Sequence, residues 1–143
     1  MAIAFVALVG LVALSGCGSS ELPAYPLAKT LARRLEHHGL CEHPRLNRHR
    51  RREVLCAPRP DGSRTGVATF VSHRSALHSV DLERRSAEFI GCGFHAVDGS
   101  LTFVVGPRFV VTGSDRPQDV ARALGAKIVG PPVACHPADP ASP

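Results

Sequence analysis

The chain has 143 residues, enough for one domain and too few for two of ordinary size. With 44% apolar and 20% charged residues it reads as globular rather than disordered, and its net charge of +5 points to anionic surroundings. No Trp, one Tyr and six Phe argue against an aromatic stacking platform for single-stranded nucleic acid.

The first element in chain order is "IAFVALVGLVAL", residues 3–14, apolar apart from Gly10 and free of charge. A membrane-spanning helix takes about 20 such residues, at ~1.5 Å each against ~30 Å of hydrocarbon. The shorter run matches the hydrophobic region of an export signal, although no Lys or Arg precedes it. Leu14-Ser15-Gly16-Cys17 follows and resembles the lipobox of bacterial lipoprotein signals. The resemblance implies a signal peptide over residues 1–16, cleavage before Cys17, and a diacylglycerol on the Cys17 thiol. Acyl chains such as palmitate, at ~0.8 kcal/mol per buried CH2, would hold the protein on the extracytoplasmic face of a bacterial cell membrane. The competing reading is a buried N-terminal helix with an incidental cysteine.

Residues 17–26, Cys17 and "GSSELPAYP", read as a short tether that keeps the domain near the membrane. "PLAKTLARRLEHHG" (26–39) places Leu27, Leu31 and Leu35 every four residues beside Ala28 and Ala32, one apolar stripe on a helix closed by Gly39. "EVLCA" (53–57) and "TGVATFVSH" (65–73) read as strands joined through Pro58, Pro60 and Asp61-Gly62. "SALHSVDLERRSAEFI" (75–90) sets Leu77, Val80, Ala87 and Ile90 along one helical side. "LTFVV" and "RFVVT" flank Gly106-Pro107 as a hairpin, where Pro107 removes one donor. "DRPQDVARALG" is a helix with Ser114 or Asp115 as cap, Pro117 in its first turn and Gly125 as its stop. "AKIVG" supplies a last strand, and residues 131–143 form a Pro-rich tail expected to be irregular.

These elements predict an α+β fold, an antiparallel sheet with helices on one face, in a single domain over residues 27–130. From residue 65 the order is compatible with a ferredoxin-like βαββαβ sheet, preceded by an extra helix and strand.

With Cys17 lipidated, Cys41, Cys56, Cys92 and Cys135 remain, an even number that favours disulfides outside the cytoplasm and allows three pairings. None lies in a C-x-x-C pair, which argues against a redox motif. Gly39-Leu40-Cys41, Cys56, Thr69-Phe70, Val104-Val105-Gly106-Pro107-Arg108-Phe109-Val110-Val111 and Ala123-Leu124-Gly125-Ala126 together resemble a group of small actinobacterial lipoproteins, mostly of unassigned function. The chain departs from that group at Arg108-Phe109, where Asn-Trp is usual, in the additional Cys92 and Cys135, and in the inserted "FHAVDGS". The resemblance implies the membrane address, the fold and a Cys41–Cys56 pair, which leaves Cys92 to meet Cys135 and pin the tail. It carries no catalytic residues.

Two clusters carry chemistry. The loop "PRLNRHRRRE" presents Arg45, Arg48, Arg50, Arg51 and Arg52, whose planar guanidinium forks suit phosphates and carboxylates. Outside the cell its expected partner is anionic envelope lipid or polymer rather than nucleic acid, unless it is simply a solvated loop. His37, His38, His43 and His49 crowd around Cys41 and form the alternative, an extracytoplasmic metal site. Adjacent His37 and His38 diverge by about 100° on a helix, so exposed histidines in an Arg-rich loop are the plainer reading. Ser72, His73, His78, Asp81 and Asp98 could be assembled into a hydrolase triad only on paper, since no G-x-S-x-G elbow accompanies them. Gly91-Cys92-Gly93 lacks the spacing of a phosphate loop. The function expected is a non-enzymatic binding or accessory role in the cell envelope, with no cofactor.

Overall fold

The computed structural model describes residues 24–50 and 52–135. Residues 1–16, expected as a signal peptide, Cys17, most of the expected tether, Arg51 and the end of the tail lie outside the described residues. Helix α1 (Ala24–His37) buries Ala28, Leu31, Ala32 and Leu35, the stripe that the four-residue spacing predicts. It begins inside the expected tether, and Pro26 falls in its first turn, where a missing N–H breaks no helical bond. Strands β1 (Arg45–Leu46), β2 (Glu53–Leu55) and β3 (Gly66–Thr69) follow, then α2 (His73–Phe89) and a 3-10 turn at Gly93–His95. The chain continues through β4 (Ser100–Leu101), β5 (Phe103–Val105), β6 (Phe109–Thr112), α3 (Pro117–Leu124), β7 (Lys127–Ile128) and β8 (Val133–Ala134).

The fold is α+β. Six strands form one sheet in the order β1-β2-β3-β6-β5-β7, antiparallel at every pairing, and β4 with β8 form a small second sheet. The unit β3-α2-β5 with β6 inserted between its strands is the expected split βαβ. The last strand departs from the ferredoxin-like order: β7 pairs outside β5, and β2 takes the place beside β3. Both crossovers therefore step the same way along the sheet while their strands run in opposite senses. The right-handed rule for crossovers then sends their helices to opposite faces.

That corrects the expectation of helices on one face. Val54, Val67, Val104, Phe109 and Val111 pack with α1 and Val120 of α3, whereas Phe103, Val105 and Val110 pack with Ala76, Val80 and Ala87 of α2. All residues of β5 and β6 are buried, as befits strands covered on both sides.

Local chemistry moves several boundaries. Helix α2 starts at His73 because Ser72 and Ser75 form a reciprocal capping box, Ser75 N–H to Ser72 Oγ and Ser72 N–H to Ser75 Oγ, both 3.1 Å. Ile90, expected on the buried side, is instead the C-terminal cap of α2 and is 81% exposed. The cap position of α3 is Arg116, whose N–H donates to Ser114 Oγ and whose guanidinium meets Asp119 at 2.8 Å. Gly125 ends that helix at φ +63°, the left-handed conformation glycine reaches without strain. The tail is not wholly irregular, since Val133–Ala134 pairs with Ser100–Leu101. Disulfides join Cys41 to Cys56 and Cys92 to Cys135.

Candidate functional site

The Arg-rich loop is the tip of the β1–β2 hairpin. Asn47, at the start of the tip, is buried; its Nδ2 donates to Glu53 Oε2 at 2.5 Å and its Oδ1 accepts from the His49 N–H at 3.0 Å. Backbone bonds from Arg50 N–H to the Asn47 carbonyl and from Glu53 N–H to the Arg50 carbonyl close the turn. With its polar base folded inward, the turn leaves Arg45, Arg48, Arg50 and Arg52 exposed. Arg51 lies outside the described residues.

Behind this hairpin opens a cleft of about 1130 Å³. Arg45, Arg48 and Arg50 stand on one wall, and Glu83 and Ala87 of α2 on the other. Leu46, Leu55, Phe94 and Leu101 supply apolar surface, and Arg64 adds a fourth guanidinium. Arg50 and Glu83 face each other at 3.8 Å. Cys56 and Cys92 both line the cleft, so each disulfide braces one side of it.

His95 borders the cleft with its Nε2 at 3.5 Å from Glu53 Oε1 and its Nδ1 at 3.2 Å from Thr112 Oγ1. The side chains of Glu53 and His95 are only 5% and 15% exposed. Two glycines make room for the pair. A Cβ on Gly66 would lie 2.8 Å from His95 Cε1, and one on Gly113, at φ +68°, would collide with the Arg64 carbonyl.

Burial pulls the His95 pKa below the ordinary imidazole value; the Glu53 charge and a hydrogen bond with the Arg64 backbone oppose this, and Arg50 adds to it. Burial pushes Glu83 above the usual carboxylate range, against the attraction of Arg50 and with a further push from Glu53.

A lowered histidine pKa means that the unfolded chain binds more protons between the folded value and ~6.5. The contribution of His95 to stability is therefore complete above that window and is lost as pH falls through it. Thermal melts from pH 8 down to pH 5 are expected to show this acid loss in the wild type and a flatter profile in His95→Gln. Parallel profiles would contradict the assignment.

The residues named for a triad are not brought together. Ser72 is the cap of α2, and His73 Nδ1 lies 3.1 Å from the Gly106 carbonyl oxygen. His78 and Asp81 are exposed on α2, while Asp98 occupies a turn at φ +49°. Thr112, His95 and Glu53 do align a hydroxyl, an imidazole and a carboxylate, a grouping that sequence reading missed. Thr112 is 6% exposed within the central sheet, however, so its hydroxyl serves packing and leaves no space for a substrate.

The metal alternative is not assembled either. His37 and His38 meet edge to face at 5.8 Å, and among the described residues no three His, Cys, Asp or Glu side chains converge on a point that could hold an ion. No described helix is long and apolar enough to cross a membrane. No family model, no curated protein and no solved structure matches the chain.

Proposed function

We propose that the protein is a lipid-anchored, non-enzymatic binding domain on the extracytoplasmic face of a bacterial cell membrane, similar in kind to the small actinobacterial lipoproteins. In this reading it contacts anionic lipid or envelope polymer through the β1–β2 hairpin. The observation that carries the reading is the hairpin itself, with Arg45, Arg48, Arg50 and Arg52 turned outward over a buried Asn47–Glu53 base.

Two further features support it. The groove beside α1 is lined by Lys29 and Arg33 as well as Arg45, with Glu36 as its acidic member. Positive surface thus continues along α1 through Lys29 and Arg33. Both disulfides suit an oxidising compartment. Basic side chains close to an anionic membrane contribute ~1 kcal/mol each, so the hairpin adds orientation to an anchor that acyl chains already make stable.

The test is binding of residues 18–143 to anionic and neutral vesicles at low and high salt. Binding to anionic vesicles alone, weakened at least about tenfold by high salt and by Arg48→Glu with Arg50→Glu, is expected. Indifference to lipid charge and salt overturns the surface contact. Intact mass of membrane-extracted protein checks the address, and Met1–Gly16 still attached to an unmodified Cys17 overturns it.

A further inference from the structure

We infer that the cleft between the β1–β2 hairpin and α2 is a binding site for a soluble organic anion, a phosphate monoester with an apolar body. Its lining divides by chemistry. Arg45, Arg48, Arg50 and Arg64 bring four permanent positive charges, and Glu83 is the one acidic side chain among the lining residues. A surplus of guanidinium over carboxylate favours a dianionic head over a monoanionic one, and the guanidinium fork matches phosphate oxygens two at a time.

The remaining surface is apolar. Leu46 and Phe94, 42% and 43% exposed, lie on the cleft with Leu55 and Leu101. Large hydrophobic side chains left open beside a cluster of cations mark a ligand with both characters better than a free inorganic ion. The volume, about 1130 Å³, lies just above the roughly 300–1,000 Å³ of drug-sized sites and leaves ample room for such a ligand.

The walls are also held in place before any ligand arrives. Cys56 ties the hairpin side to the end of α1 through Cys41, and Cys92 ties the α2 side to β8 through Cys135. A cleft fixed in this way loses little conformational freedom on binding. Arg64 also lines the cleft, and its backbone N–H donates to the Phe94 carbonyl at 2.7 Å. Arg45, Arg48 and Arg50 are shared with the membrane contact proposed above, whereas Arg64 follows the β1–β2 hairpin in sequence, so it is the residue that separates the two sites.

The experiment is calorimetric titration of the full chain in nanodiscs of neutral lipid, with empty nanodiscs as the blank. The probes are hexyl phosphate, heptanoate, hexanol and inorganic phosphate. Hexyl phosphate is expected to bind one to one and at least about tenfold more tightly than each of the other three. Arg64→Gln is expected to weaken it about tenfold without altering vesicle binding, and Glu83→Gln to tighten it about threefold by removing the opposing carboxyl. Where Arg64→Gln fails to fold, Arg48→Gln on the exposed hairpin takes its place, read by hexyl phosphate affinity alone because Arg48 also belongs to the membrane contact. Absence of saturable binding, equal binding of hexanol or inorganic phosphate, or unchanged affinity in the folded arginine variant overturns the site. Loss of vesicle binding with hexyl phosphate binding intact overturns the membrane contact alone.

Discussion

Replacing Cys92 and Cys135 together by serine is expected to lower the free energy of unfolding by about 4 kcal/mol, as a ring with a sequence separation of 43 is opened in the unfolded chain. The equivalent double replacement of Cys41 and Cys56, separated by 15, is expected to cost about 3 kcal/mol. Against a typical total of about 5–15 kcal/mol, either loss is large. Urea denaturation of both serine pairs beside the wild type measures the two values. The longer ring also holds Val133, 9% exposed, against the α2 side of the core. A smaller loss for the 92–135 pair than for the 41–56 pair would contradict the ordering by ring size.

Phe103→Ala is expected to cost about 3–5 kcal/mol, the range for emptying a fully buried aromatic site. Phe103 is 0% exposed and belongs to the cluster that joins β5 and β6 to α2. Its ring lies 5.2 Å from the guanidinium carbon of Arg84, whose Nη2 donates to the Val129 carbonyl at 2.5 Å and also reaches the Pro131 carbonyl. Truncation removes the surface on which that arginine rests and loosens the route from β7 to β8. Phe89→Ala provides the control: Phe89 is 80% exposed, and its loss is expected to fall within about 0.5 kcal/mol of zero. Chemical denaturation of the two variants separates them, and comparable losses would contradict the burial argument.

The elements visible in the sequence are those whose signal is local. Leu31 and Leu35 announce α1 by their spacing, and Pro117 with Gly125 brackets α3. The continuous runs "FVV" and "FVVT" carried a further message, since strands without alternation are covered on both faces. That signal already stood against helices on one side. Strands β1 and β8 are two residues each, too short for any periodicity to reveal, and β8 exists only through pairing with the distant β4.

The cleft is invisible for the same reason. Glu53 opened an expected strand, and His95 lay in a segment read as an insertion, yet the fold sets them 3.5 Å apart. The Arg cluster was legible because its members are neighbours in the chain. Its opposite wall, Glu83 and Phe94, was not, because only tertiary packing carries α2 and the 3-10 turn to the hairpin.

The disulfide connectivity bears on how the molecule is made. Each cysteine of the domain is joined to the next one in sequence, 41 with 56 and 92 with 135, so the two rings neither overlap nor interlock. A chain delivered N-terminus first presents Cys56 to Cys41 before Cys92 emerges, and Cys92 then waits only for Cys135. In the export reading proposed above, with Cys17 capped by lipid, oxidation in order of emergence gives the native pairing without isomerisation.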